Sequence, residues 1–363
     1  MTRVDDGTAS AVEAPTVEPP TPGDFRIARW TPESRVGVLA ALAGLGVLAT
    51  LPDWGTSSNM ATVVEIMALL ALAQMWNLLA GFAGLVSIGQ QAFVGIGAYA
   101  LLVLADDWGV DPFLAVWLAA LVAAALSVPI GLLAFRLRGG YFAIGTWVIA
   151  QVVFLMVTNN SALGGGNGRS LLSLGDYDRI TREDYTFYTA LVVGAGAVAI
   201  VVLILRSRLG LALRAVRDDE AGARGAGVDV YRARLAAWVI AGGWTGLAGG
   251  LIYLQRLNVQ PTSAFSVQWT AFMIFIVVIG GLGSTTGPII GTLVFWVLRD
   301  QLADLGEWYL IILGSIAVVM AVLAPKGIYG VLNGIRPFQL FPVQRRLRAR
   351  RRRAGAPKVG APT

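Results

Sequence analysis

Ten apolar runs follow one another along the chain, at about residues 36–51, 60–80, 88–104, 113–135, 141–158, 187–205, 235–256, 267–281, 287–303 and 308–324. Short polar or glycine-bearing stretches separate them. A helix needs about 20 mostly apolar residues to cross a hydrocarbon core of ~30 Å. Several runs are shorter than that, which predicts helices that sit behind others or break at membrane depth. The pattern therefore predicts an all-α, polytopic integral membrane helical bundle of about ten transmembrane helices, occupying 36–335. Two polar segments are longer than the rest. Residues 159–186 contain Leu163-Gly164-Gly165-Gly166-Asn167-Gly168, and residues 206–234 place Leu209, Leu213 and Val216 on one helical stripe before an acidic turn. Long ordered loops in a compact protein are usually functional.

Charge gives this series a direction, because Lys and Arg concentrate on the cytoplasmic side. Arg136 and Arg138 share one short loop, and Arg206, Arg208, Arg214, Arg217, Arg224, Arg232 and Arg234 share the 206–234 segment, whereas 52–59, 105–112 and 257–266 hold no Lys or Arg. Placing the basic loops and both chain ends inside requires 267–303 to cross twice, reversing at Gly280-Gly281-Leu282-Gly283-Ser284. Trp54, Trp108, Trp269, Trp308 and Tyr309 then fall at outer ends of spans, where amphipathic rings favour the headgroup layer. Residues 1–35 begin with a stretch rich in Pro, Thr and acids that lacks the basic and apolar regions of a signal peptide, so a disordered cytoplasmic tail is predicted. Residues 336–363 form a basic cytoplasmic tail, and its Arg345 to Arg353 run reads as an anchor to anionic membrane lipid, with no nucleic acid as partner.

Composition narrows the function. Of 363 residues 56% are hydrophobic and 14% charged, against roughly 25% charged in a soluble domain. Cys and His are both 0, which removes thiolate metal sites, Cys nucleophiles and the usual general base. The lysines, Lys326 and Lys358, lie outside any GxxxxGK[ST] loop, so no ATP site is expected in this chain. The chain reads as a mover of solute across a bilayer and not as an enzyme, with no cofactor or metal of its own.

Three further patterns carry chemistry. Gly242, Gly246 and Gly250 recur every four residues and line one helix face, which suits close helix packing in lipid. Glycines at 81, 84 and 89 with Ser87-Ile88-Gly89-Gln90-Gln91 make 77–99 poor material for an unbroken lipid-facing helix, and 280–291 with Ser284, Thr285 and Thr286 has the same character. Backbone freed at membrane depth must line a cavity or pack on protein, so these read as two helix breaks near the inner face, beside a translocation path or as tightly packed turns. Asn77, Ser87, Gln90, Gln91, Thr146 and Gln151 are the candidate path residues, all neutral. Glu65 is the one clear acid inside a run and is expected to snorkel to water at the outer end.

These residues resemble a known family. The 77–99 run, Leu137-Arg138-Gly139-Gly140-Tyr141-Phe142-Ala143-Ile144, the 212–230 loop and Gly280-Gly281-Leu282-Gly283-Ser284 with Gly287-Pro288-Ile289-Ile290-Gly291 are similar, over about 60–332, to the permease subunit of branched-chain amino acid ABC importers. The resemblance implies a type II ABC importer-like permease in the inner cell membrane. It implies as partners a second homologous permease subunit, two cytoplasmic ATPase subunits that bind the ATP and Mg, and an extracytoplasmic substrate-binding protein. It makes 206–234 the cytoplasmic coupling loop, with Arg217, Asp218 and Glu220 near the ATPase contact, and matches Gly164 to Gly168 to the family's extracytoplasmic Gly-Gly-x-Asn-Gly. Gln90 stands where the family often has His, and Gln151 where it often has an acid. Urea importers are similar in outline, so urea or another small polar solute is the alternative cargo, and a self-contained secondary carrier the alternative mechanism.

Overall fold

The computed structural model describes residues 25–28, 32–306, 308–335, 340–341 and 346–349. The helices, in order, are α1 (Pro32–Ala49), α2 (Leu51–Trp54), α3 (Ser57–Asn77), α4 (Gln91–Leu102), α5 (Pro112–Ala134), α6 (Gly140–Thr158), α7 (Arg179–Arg206), α8 (Arg208–Asp218), α9 (Glu220–Gly225), α10 (Val230–Arg256), α11 (Pro261–Ala264), α12 (Val267–Gly280), α13 (Gly287–Leu302), α14 (Trp308–Leu323) and α15 (Gly327–Ile335). Among the described residues, seven stretches are long and apolar enough to cross a membrane. The three other apolar runs are also helical: α1 has 18 residues, α4 has 12 and α13 has 16. Helices α4 and α13 are short because glycine-rich breaks consume residues that the hydropathy pattern assigns to spans.

Local chemistry explains the boundaries. Asp111 accepts from the amides of Phe113 and Leu114 at the start of α5, Asp178 caps α7 through Thr181, and Asp229 caps α10 through Arg232. These capping residues satisfy amides that the first helical turn leaves without partners. Ser207 separates α7 from α8, and Asp219 separates α8 from α9 while capping it through Ala221.

Small residues decide how the centre packs. Along α5, Ala119, Ala123, Ser127 and Gly131 face Gly250, Gly246, Gly242 and Trp238 of the antiparallel α10, step for step. On another side of α10, a methyl at Gly97 of α4 would collide with the Gly246 carbonyl, and one at Gly249 with the backbone of Val94. The stripe expected of Gly242, Gly246 and Gly250 is therefore a three-helix contact. Dispersion between close backbones is what lipid leaves available to hold helices together. Phe93, Phe135 and Phe142 surround the buried Trp238, whose Nε1 donates to the Ser127 carbonyl at 3.0 Å. α12 and α13 form an antiparallel hairpin: the Phe272 ring packs tilted against Phe295 with centroids 4.9 Å apart, and Gly291 meets the Ile276 carbonyl. The 267–303 segment thus reverses at 281–286 and returns to the end of the bundle from which it started.

One end of the bundle collects the 83–90 stretch, the 135–139 turn, α8 and α9, the 281–286 stretch and Lys326. The other collects 103–111, 159–178 and 257–266: Arg169 bridges Asp107 at 2.7 Å, Asp106 accepts from the amides of Leu172 and Ser173, and β2 (Arg169–Ser170) pairs antiparallel with β3 (Asn258–Val259). The long loop there is 159–178, since α7 starts earlier than the hydropathy suggests. Trp54, Trp108 and Trp308 are exposed at this end, but Trp269 is buried with its Nε1 on the Ser263 carbonyl, so it packs the core and is not part of an aromatic belt. Strand β1 (Phe25–Ala28) pairs antiparallel with β4 (Arg346–Ala349), and α1 begins at Pro32. These segments lie within the stretches expected to be tails, most of which falls outside the described residues.

Candidate functional site

The two helix breaks expected from glycine are present, and they touch. Past Asn77, α3 widens into a π-helical turn, Leu78–Phe82. Gly84 then takes a left-handed φ of 69°, and the chain runs non-helically until α4 begins at Gln91. A π turn inside a helical run commonly marks a functional position. In the second break Gly281 and Gly283 have φ of 126° and 74°, and Ser284 closes the turn by accepting from the Gly287 amide at 2.8 Å and donating to the Gly281 carbonyl at 2.9 Å.

Asn77 joins the breaks. Its Nδ2 donates to the Ser284 carbonyl at 2.8 Å and its Oδ1 accepts from the Gly283 amide at 2.9 Å. Gln74, one turn earlier, donates to the Thr285 carbonyl at 3.0 Å. Arg217, at the end of α8, completes the junction from the loop side: its guanidinium donates to the Gly81 carbonyl and lies against Gly84 and Gly283. Freed backbone carbonyls and amides of both breaks are thereby paired, as low-dielectric surroundings demand.

The remaining path candidates lie along the same stretch. The Ser87 carbonyl accepts from Trp76 Nε1 at 2.9 Å, and its hydroxyl accepts from the Gly89 amide. Thr146 of α6 accepts from the Ile88 amide at 3.2 Å. Gln91 is held by Thr270 of α12, which accepts from its amide and donates to its Oε1. Gln90 is different: fully buried, with neither side-chain polar atom partnered by protein. Gln74 Oε1 and Gln91 Nε2 share that condition. Such groups cost free energy unless water or a passing ligand pairs them. The structure therefore brings together Asn77, Ser87, Gln90, Gln91 and Thr146, with Asn77 and Thr146 holding backbone. Gln151 lies farther along α6, half-exposed and outside the cluster.

The coupling candidates separate into two kinds. Arg217 is turned inward on Gly81, with only its Nε on Asp218 at 3.2 Å, while Asp218 is exposed. Glu220 pairs with Arg224 at 2.7 Å and with Arg234 of α10 at 2.9 Å, so it ties α9 to α10 instead of standing free. The Arg224 hydrogen bond, with Arg234 adding, holds the Glu220 carboxyl below the usual carboxylate range. Burial pushes the Arg214 guanidinium down, and its Cζ lies 5.8 Å from the Phe82 ring in the π turn. A cavity of about 480 Å³ opens between this assembly and the 135–143 turn.

Glu65 does not simply snorkel. It pairs with Arg299 of α13, a residue missed although an arginine at the polar end of an apolar run was a visible signal. Thr270, the partner of Gln91, gave no signal: one threonine in an apolar run looks like helix filling.

Residues 56–323 match the family described as branched-chain amino acid transport system / permease component. The high-affinity branched-chain amino acid transport system permease protein LivM of Salmonella typhimurium is 31% identical over 299 residues, 75% of this chain and 69% of that protein. The probable branched-chain amino acid transport permease protein LivH of Methanocaldococcus jannaschii is 22% identical over 68% of this chain and 83% of its own. The ribose import permease protein RbsC of Bacillus subtilis is 25% identical over 74% of this chain and 84% of its own. No solved structure matches the chain. The chain, a multi-pass membrane protein of apolar helices with paired helix breaks, belongs to the branched-chain amino acid transport system permease family of ABC transporters.

Proposed function

We propose that the chain forms one half of the translocation path of an importer for branched-chain amino acids, working with a second permease, two cytoplasmic ATPases and an extracytoplasmic binding protein. The single observation that carries this reading is the Arg217 contact. It fastens the amphipathic α8, on the loop side, to the first helix break, which Asn77 fastens to the second. A push on α8 and α9 from closing ATPases therefore reaches both breaks through hydrogen bonds. Asp218 and the outward side of α9 meet the ATPase; Arg217 acts one step deeper, and Glu220 braces α9 on α10. The basic end faces the cytoplasm of an inner membrane, and the chain ends lie there. The names of the LivM relatives support the cargo.

A second reading takes an uncharged cargo. The neutral cluster at Gln90 and Gln91 favours it, as do relatives named for ribose import. Vesicles holding the complete complex decide between these: ATP-driven uptake of leucine, competed by valine and not by ribose or urea, is expected. Arg217→Gln is expected to lower that uptake about tenfold while ATPase subunits stay bound and hydrolyse ATP, the loss of one charge-assisted hydrogen bond of ~1.5–3 kcal/mol. Uptake by this chain alone, driven by a proton or sodium gradient, would overturn the reading in favour of a secondary carrier.

A further inference from the structure

The outer half of the bundle holds a charged cleft that the helix breaks do not use. Glu65 lies eight residues into α3, about 12 Å along the axis from Ser57. It pairs with Arg299, whose Cζ sits 5.4 Å from the Phe272 ring centre. Arg256, at the end of α10, lies over the rings of Trp269 at 5.2 Å and Tyr253 at 5.8 Å. Among the described residues it has no carboxylate within ion-pair distance; it makes a long hydrogen bond to the Ser263 hydroxyl at 3.4 Å. Two cavities of about 330 and 300 Å³ share Arg256 and Trp269 as walls, one reaching Arg299 and the other Glu65. Ala68, Leu69 and Ile252 line the Glu65 side.

Glu65 lies inside an apolar helix, where an ionisable group marks a functional position; Arg256, at the end of α10, is exposed to solvent. The lining offers two guanidiniums and one carboxylate, an excess of one positive charge. Two aromatic rings within cation–π distance restrain Arg256, whose guanidinium can take a planar carboxylate with two N–H groups. Glu65, with its second oxygen, is an acceptor for an ammonium. The aliphatic wall between them suits a short apolar side chain. Volumes of this order are at the small end of ligand sites.

We propose that this cleft is an outer binding site for an amino-acid zwitterion, with Arg256 taking the α-carboxylate and Glu65 the α-ammonium. The inference rests on the amino-acid reading of the cargo, and it adds a recognition point before the neutral breaks are reached. A charged acceptor outside and uncharged groups inside give capture first and weak holding afterwards.

Cysteine protection tests it in membrane vesicles holding the full chain with its partners. The sequence has no native cysteine. Thr262→Cys and Ser58→Cys report on the two cavities, and Gly175→Cys, on the open outer loop, is the reference. Saturating leucine is expected to slow labelling by an impermeant thiol reagent about tenfold at 262 and 58 and not at 175, while leucinamide, which lacks the carboxylate, does not protect. Arg256→Gln is expected to abolish protection, and Arg256→Lys, which keeps the charge but lacks the planar fork, to weaken it. Absence of protection by leucine, equal protection by leucinamide, or protection that survives Arg256→Gln overturns the proposal. Labelling that follows the anionic lipid content of the vesicle and ignores leucine also overturns it, in favour of a headgroup site. Protection without ATP-driven uptake would remove the importer reading and leave the site; uptake without protection would do the reverse.

Discussion

Asn77 uses both ends of its amide on the second break, so its replacement strands two backbone groups at once. Asn77→Leu is expected to cost ~1–3 kcal/mol, seen as a lower thermal midpoint in detergent, because the Gly283 amide and Ser284 carbonyl lose their partner. An unchanged midpoint would mean that water replaces the side chain at no cost. The residue was legible as polar and out of place in an apolar run, but its role was not. A neutral amide beside glycines suits a path as well as a brace, and only the position of Ser284 separates the two. Gln90 stands the other way: the sequence marks it as a path residue, and the structure leaves both of its polar atoms without a protein partner. A second residue-scale expectation concerns Asp107. Its hydrogen bond from Arg169 holds the carboxyl below the ordinary range. A carboxyl lowered in the folded state adds stability that is present above its unfolded value of about 3.9 and disappears as pH falls through the folded one. Protection factors of amides in the 169–173 segment, corrected for the intrinsic exchange rate, should therefore fall below about pH 4, and Asp107→Asn should lower them at neutral pH too.

At the scale of elements, the pattern of apolar runs located every long helix. Helices α4 and α13 are shorter than their apolar runs because Gly84 and Gly283 turn the chain before each begins. Glycine spacing foretold the breaks and the α10 stripe, since both follow from what a missing side chain permits. It could not foretell that α5 answers with Ala119, Ala123, Ser127 and Gly131, because alanine in a helix has no distinctive pattern. That pairing yields a sharp expectation. Gly246→Ala places a methyl on the Ala123 methyl and should destabilise by ~1–3 kcal/mol; adding Ala123→Gly should recover most of the loss. Chemical denaturation of both variants is the measurement, and no recovery in the double variant would show that α5 and α10 are not in this register.

For the whole molecule, the charge pattern and the two ends of the bundle agree on two faces. The 136–138, 206–234 and Lys326 basic groups gather at one end, while Asp106, Asp107, Asp111 and Asp178 gather at the other. Ser57→Cys should react with an impermeant reagent applied from outside, and Ser207→Cys only after the membrane is opened. The reverse result would invert the molecule. What the sequence withheld at this scale is long-range: Glu65 with Arg299, Arg217 with Gly81 and β1 with β4 each join residues far apart in the chain, and no local periodicity encodes them.

The backbone contact among α4, α5 and α10 has a mechanical consequence. Where carbonyl meets glycine there are no side-chain rotamers to absorb a shear, so the three helices translate and tilt as one solid piece. Whatever bends during transport must then bend at the margins of that piece. The margins are few: the positive-φ glycines at 84, 281 and 283 lie at one edge of it, and the thinly covered α6 and α14 lie outside it. A stiff centre with pliant glycine joints is a lever, and Arg217 holds its short arm.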